Sequence, residues 1–132
     1  MILLDTGFLI ALFRRGDEYH TRASELQIQL DASGESLLFP ECVLAEFASY
    51  IRRSDGAQRA AEASLALLEL KRGSLVFPTE LEVRNAFAVL KKFSFSSYAD
   101  ALLVALADSR GIRKIASFDS DFDRVRGITR LQ

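Results

Sequence analysis

Short apolar runs alternate along this chain with longer segments of helical period. Ile2–Leu4 is a compact apolar run and predicts a buried strand. The segment Thr6 to Arg14 then reads as helix. Gly16-Asp17 stops it and caps a second helix running to about Asp31. Ser36–Phe39 is a second strand, and Pro40 suits the first turn of a helix over CVLAEFASYIRR. Ala57–Lys71, rich in Ala and Leu, is a further helix, and Leu75–Phe77 a third strand. Thr79-x-x-Glu82 is a capping box opening a helix to Lys92. Ser97-x-x-Asp100 resembles another, before ALLVALADSR and a stop at Gly111. Ile112–Ala116 is a fourth strand and Ile128–Leu131 a short fifth.

Apolar strands alternating with helices predict an α/β fold: three layers, α/β/α, around a central, mostly parallel sheet of four or five short strands. In such sheets, sites lie beyond the carboxyl ends of the strands. At 132 residues, with no repeat or linker, residues 1–132 are expected to form a single domain.

Composition removes several classes. Hydrophobic residues are 49% and charged residues 27%, which suits a packed chain and not a disordered one. A lone Cys42 excludes an intramolecular disulfide and fits a reducing compartment, so a cytoplasmic location is expected. The apolar start has no basic flank and is interrupted by Asp5, unlike a signal peptide. No uncharged apolar run reaches membrane-spanning length. Net charge is −1. The bases come in pairs such as Arg52–Arg53, Lys91–Lys92 and Arg113–Lys114, with Arg124, Arg126 and Arg130 near the end. As single pairs they read as solvated helix ends; only a tertiary structure decides whether any share a rim.

The acids are more informative. Asp5 sits within MILLDTGFLIALF, where ten of thirteen residues are apolar. Glu46 lies two turns into the helix after the second strand. Asp100 opens the greasiest helix of the chain, and Asp119 and Asp121 follow the fourth strand in IASFDSDFDRV. Each has a local explanation as a cap or turn former. Four separate explanations are less economical than one shared site. Like charges in a poorly solvated cleft repel, and a divalent cation removes the conflict. Oxygen-only ligands select Mg²⁺ or Mn²⁺. Setting aside Asp5, Glu46, Asp100 and Asp119 leaves 14 of the 18 acids against 17 bases, a mildly basic body suited to a polyanion. Asp17, Glu18, Glu80 and Glu82 read as surface or capping residues. His20 reads as a surface or packing residue, and Cys42 as a small hydrophobe.

In DTGFLIAL, DEYHTRA, LAEF, SSYADALLVALA and SFDSDFDRV, in that order, the chain resembles the PIN-domain ribonucleases, specifically VapC-type toxins of toxin–antitoxin pairs. The resemblance covers the whole chain. It implies a metal-dependent endoribonuclease in which Asp5, Glu46, Asp100 and Asp119 hold Mg²⁺ or Mn²⁺. Asp121, Thr6 and Ser117 are given auxiliary roles. It also implies an RNA substrate, a cognate antitoxin packed in an apolar groove, and a homodimer, with no membrane partner. Phe8, Phe13, Phe47 and Tyr50 are candidates for that groove or for the core. One position departs: many relatives carry Asn where this chain has Gly7.

Two other families that open with strand-then-Asp fit less well. Dehalogenase-like phosphatases need a second Asp at the position of Gly7, and receiver domains need a phospho-acceptor Asp after the third strand, where Pro-Thr-Glu stands. The alternative from another class is a PIN-like module that binds RNA or protein without cutting, whose signature would be lost acids.

Overall fold

Apolar side chains on both faces bury the central strands, while the two edge strands are only partly covered. In the computed structural model, which describes residues 1–93 and 95–132, β1 (Ile2–Leu4) is buried along its whole length. It is followed by α1 (Thr6–Phe13) and α2 (His20–Ser33), then β2 (Leu37–Pro40), α3 (Glu41–Asp55), α4 (Ala57–Leu68) and β3 (Gly73–Val76). The second half holds α5 (Glu80–Phe93), α6 (Tyr98–Ser109), β4 (Lys114–Ala116), a 3-10 turn over Ser120–Arg124, and β5 (Thr129–Leu131).

The five strands form one parallel sheet in the order β3-β2-β1-β4-β5. β1 to β3 wind outward in one direction, and the chain then returns to place β4 beside β1. Right-handed crossovers therefore put α1–α4 on one face and α5–α6 on the other, and α5 packs mainly on α6, α3 on α4, and α1 on α2 and α3. This is the expected three-layer arrangement, fully parallel. The reversal of winding lies between β1 and β4. Parallel sheets place their crevice at such a switch.

Several boundaries move, each for a local reason. Asp17 does not cap α2 directly. Its Oδ1 accepts from Tyr19 N at 2.9 Å and its carbonyl from His20 N at 3.1 Å, so it builds a turn and the helix begins three residues later. Gly34 ends α2 with φ 71°, a left-handed conformation open to Gly. Pro40 is the last residue of β2, paired opposite Val76, with φ −73° and ψ 158°; α3 begins after it at Glu41. β3 begins at Gly73, and Phe77, expected as its end, is 67% exposed. Ile112, expected as the start of β4, donates its N–H to Ala107 O at 2.8 Å and finishes the end of α6.

The core has a layer on each side of the sheet. Phe8, Phe39, Phe47 and Phe122 are fully buried, and α6 is buried from Ala99 to Ala107. Phe8 and Phe47 are thus core residues, with the Phe13 ring edge-on to Phe47 at 5.2 Å. Among the described residues, no helix is long and apolar enough to cross a membrane.

Candidate active site

The residue after a buried strand must leave the sheet, and if it is charged it must find a partner. Asp5 follows β1 at the crevice between β1 and β4 and is 5% exposed. Its Oδ2 accepts from Ser117 Oγ at 2.7 Å, and Ser117 follows β4 directly. The hydroxyl of Ser117 in turn accepts from Asp119 N at 3.0 Å. One Ser therefore ties the acids after β1 and β4 together, across 112 residues of sequence.

Asp100 sits in the first turn of α6. Its backbone N–H donates to Ser97 Oγ, which satisfies the helix end, and its Oδ2 accepts from Ser97 Oγ at 2.8 Å and Ser96 Oγ at 3.2 Å. The expected capping box is present. Asp100 also faces a cavity of about 520 Å³ that it shares with Asp5, Thr6, Glu46 and Asp119. Glu46 reaches it from α3, its Oε2 held by Thr6 Oγ1 at 2.8 Å. Asp119 begins the 3-10 turn, its Oδ1 accepting from Asp121 N at 2.8 Å. Each carboxylate thus has one oxygen oriented by this chain. No side chain among the described residues donates to the other oxygen of each, Oδ1 of Asp5 and Asp100, Oε1 of Glu46 and Oδ2 of Asp119, while the Thr6 backbone N–H also favours the ionised Asp5 carboxyl.

Burial pushes the Asp5 carboxyl up to about 7; the Ser117 hydrogen bond opposes this, and the charges of Asp100 and Asp119 add to it. Asp100 is also raised, first by burial, against the two Ser hydroxyls. Among the described residues, no three acidic, His or Cys side chains stand close enough to form a finished metal cage. The four acids share a cavity as separate carboxylates. Their chemistry fits a hard divalent cation. All are oxygen donors, each has a free oxygen, and the most buried one carries an unfavourable charge that a cation would relieve.

Gly7 lies over this cluster. A Cβ there would stand 3.3 Å from Asp5 Oδ2, tighter than most such contacts, so the absence of a side chain leaves Asp5 unobstructed.

Asp121 is outside the lining of this cavity; its carboxylate pairs with Arg124 at 3.0 Å, and it reaches the site through its backbone N–H to Asp119. Sequence reading also left out Tyr19, Ser96 and Phe118, which line the cavity, as do Asp17 and Glu18. Tyr19 and Phe118 stack with centroids 4.7 Å apart. No local pattern marks this pair, because the two rings are 99 positions apart and only the α2 entry and the β4 exit bring them together. Tyr50, a groove candidate, does line the cavity, its hydroxyl accepting from Arg14 Nη1 at 2.9 Å.

His20 is no part of the lining. Its Nδ1 is 2.8 Å from Ala11 O and joins the two first helices. The Cys42 thiol is pushed up to about 11 by burial and by the Glu46 charge, so it is a neutral, half-buried group.

Residues 2–128 match the PIN domain family. No curated protein matches the sequence significantly. Among solved structures, VapC20 of Mycobacterium tuberculosis, described as a sarcin–ricin loop cleaving toxin, is 25% identical with a TM-score of 0.83, and 97% of each chain is covered. VapBC2 from Rickettsia felis, bound to a promoter DNA fragment, matches with a TM-score of 0.73 at 13% identity, covering 99% of this chain and 98% of that one. A toxin–antitoxin complex from Klebsiella pneumoniae matches with a TM-score of 0.70 at 18% identity, covering 98% and 96%. With the family matched along nearly its full length and the fold shared with VapC toxins, the chain belongs to the PIN-domain family and is VapC-like.

Proposed function

We propose that this chain, acting as one domain, is a metal-dependent endoribonuclease that hydrolyses RNA phosphodiester bonds as the toxin of a toxin–antitoxin pair. The observation that carries the proposal is the convergence of Asp5, Glu46, Asp100 and Asp119, from four distant stretches, on one cavity at the carboxyl end of the sheet. The likeness to VapC20, described as a sarcin–ricin loop cleaving toxin, supports the reaction class.

Asp5, Asp100, Asp119 and Glu46 would hold Mg²⁺ or Mn²⁺ through their free oxygens. When bound, such an ion lowers the pKa of a coordinated water and neutralises charge developing on the phosphate. The chain's own residues do the rest. Ser117 fixes the rotamer of Asp5 and the backbone of Asp119 together. Ser96 and Ser97 fix Asp100. These hydroxyls keep the carboxylate oxygens aimed before any ligand arrives, as groups one layer behind a metal commonly do. Glu46 is the most exposed of the four and is held at one oxygen only, so it is the acid suited to orient the attacking water as general base. Asp121 is less suited, since Arg124 occupies its carboxylate.

The Rickettsia and Klebsiella assemblies support a cognate antitoxin as partner. The family resemblance supports a homodimer.

The test is cleavage of cellular RNA by the purified chain with Mn²⁺ and with EDTA, alongside Mn²⁺ calorimetry. Asp5→Asn and Asp100→Asn are expected to abolish Mn²⁺-dependent cleavage with folding retained. Unchanged cleavage in a folded Asp100→Asn variant removes that residue from the site. If the wild type binds RNA but neither binds Mn²⁺ nor cuts, the non-catalytic PIN-like alternative takes its place.

A further inference from the structure

The cavity of the four acids poses an electrostatic problem for an RNA enzyme. Its lining includes six acids, Asp5, Asp17, Glu18, Glu46, Asp100 and Asp119, and not one Lys or Arg. RNA is a polyanion, and most of its affinity for proteins comes from cations paired with phosphates. Two divalent ions would still leave this lining net negative if all six acids are ionised. Arg14, bonded to Tyr50, Arg22, over Phe118, and Arg53, beside Glu46, stand on its rim, and an RNA longer than a few nucleotides would gain from further cations beyond them.

A second cavity, of about 650 Å³, carries such a group of cations. It opens between α5, the end of α6 and the segments entering β4 and β5. Lys92, Arg113, Arg124 and Arg126 line it against one acid, Asp108. All four basic side chains belong to exposed residues. Arg124 is shared with Asp121, while for Lys92, Arg113 and Arg126 there is no ion pair among the described residues. Arg113 is held close over Gly127, where a Cβ would stand 2.7 Å from its Nη1 and where φ is 84°. The backbone there makes room for the guanidinium.

The two cavities lie at opposite ends of the sheet. Arg113 precedes β4 and Gly127 precedes β5, whereas Asp5 and Asp119 follow β1 and β4. α6 spans the distance: Asp100 at its start faces the acids and Asp108 near its end lines the basic groove, about 12 Å along the helix axis at 1.5 Å per residue. That is a separation a folded RNA spans and a single nucleotide does not.

We propose that this basic groove binds the phosphodiester backbone of the RNA substrate at a distance from the scissile bond. It holds the polyanion that the acid cavity itself repels. The inference rests on the ribonuclease reading above, which supplies the polyanion that four cations facing one acid would hold; an acidic peptide is the competing occupant, and the experiment separates the two.

The probe is a fluorescein-labelled RNA stem–loop, with binding followed by anisotropy in EDTA across a series of salt concentrations. The Lys92→Ala/Arg126→Ala double variant is expected to bind about tenfold more weakly, with the slope of log K against log salt reduced by about two, one per lost phosphate contact. Arg126→Glu is expected to weaken binding further. Arg59→Ala/Lys71→Ala, on exposed bases elsewhere, is expected to leave Kd and slope unchanged. Matched thermal melts exclude a folding defect. If wild-type binding is tight but indifferent to both groove variants, the inference is overturned while the nuclease reading stands. If binding depends on the groove but the wild type cuts nothing with Mn²⁺, the nuclease reading falls and the groove stands. If RNA binding is unaffected while poly-glutamate binding is lost in the double variant, the groove is a protein-docking surface and the RNA assignment is overturned.

Discussion

Asp5 shows at the level of a single residue how a site is maintained against stability. A carboxyl whose folded pKa lies above its unfolded value stabilises the fold fully below the unfolded value, and that contribution is lost as pH rises through the folded one. For Asp5 the window runs from its ordinary value of 3.8 up to about 7. The metal-free protein is therefore expected to lose stability across that range, by on the order of a few kcal/mol from this residue alone. Asp5→Asn should flatten the trend and raise the metal-free melting temperature near pH 8 by roughly 5 °C or more. Thermal melts of both proteins in EDTA at several pH values check this; identical pH profiles would show that Asp5 is not charged at a cost. Mn²⁺ should stabilise the wild type at high pH and do much less for the variant, since a ligand bound only by the folded state adds stability that grows with the logarithm of its concentration over Kd.

At the scale of elements, α5 and α6 are joined by more than apolar contact. Glu82 caps α5, with Thr79 N donating to its Oε2 at 2.7 Å. The same carboxylate accepts from Arg110 Nε at 2.7 Å and from Ser109 Oγ at 2.7 Å, both at the end of α6. From the sequence Glu82 reads as an ordinary capping residue; the structure adds an ion pair from the buried Glu82 to the half-buried Arg110. The Arg110 guanidinium holds its carboxyl well below the usual carboxylate range. Its contribution is accordingly present above the unfolded value of 4.5 and is lost as pH falls. Removing one partner strands the other, so Glu82→Ala should cost about 2–4 kcal/mol in urea unfolding near neutral pH. A loss below about 0.5 kcal/mol would reduce the pair to the worth of an exposed one. Because α6 carries Asp100, the same contact indirectly anchors the site.

Across the whole molecule, function follows the polarity of the sheet. Every strand runs the same way, so its carboxyl ends gather the acids and its amino ends gather the bases of the second groove. α6 is the axis linking the two, and Leu103 on it is fully buried. Leu103→Ala should cost about 2–5 kcal/mol, as large-to-small core changes do. Chemical denaturation measures it, and a near-neutral result would show that the layer around α6 collapses freely into the gap.

Local patterning was enough to place most elements. The apolar run of Ile2–Leu4, the Thr79–Glu82 and Ser97–Asp100 boxes and the greasy Ala99–Ala107 stretch each act over a few residues, through propensity, capping and burial, and each is found where the pattern put it. The order of strands then made acids at strand ends worth inspecting, and Asp5, Glu46, Asp100 and Asp119 could be named from their apolar surroundings alone. What no window of sequence contains is proximity. That Ser117 holds Asp5, that Tyr19 stacks on Phe118, that Glu82 meets Arg110, and that Lys92 shares a groove with Arg113 and Arg126 all depend on where the crossovers deliver their ends. Those contacts join residues between 21 and 112 positions apart. Side-chain interactions fall off within a few ångström, so their partners are decided only when the sheet closes and the two helical layers pack upon it.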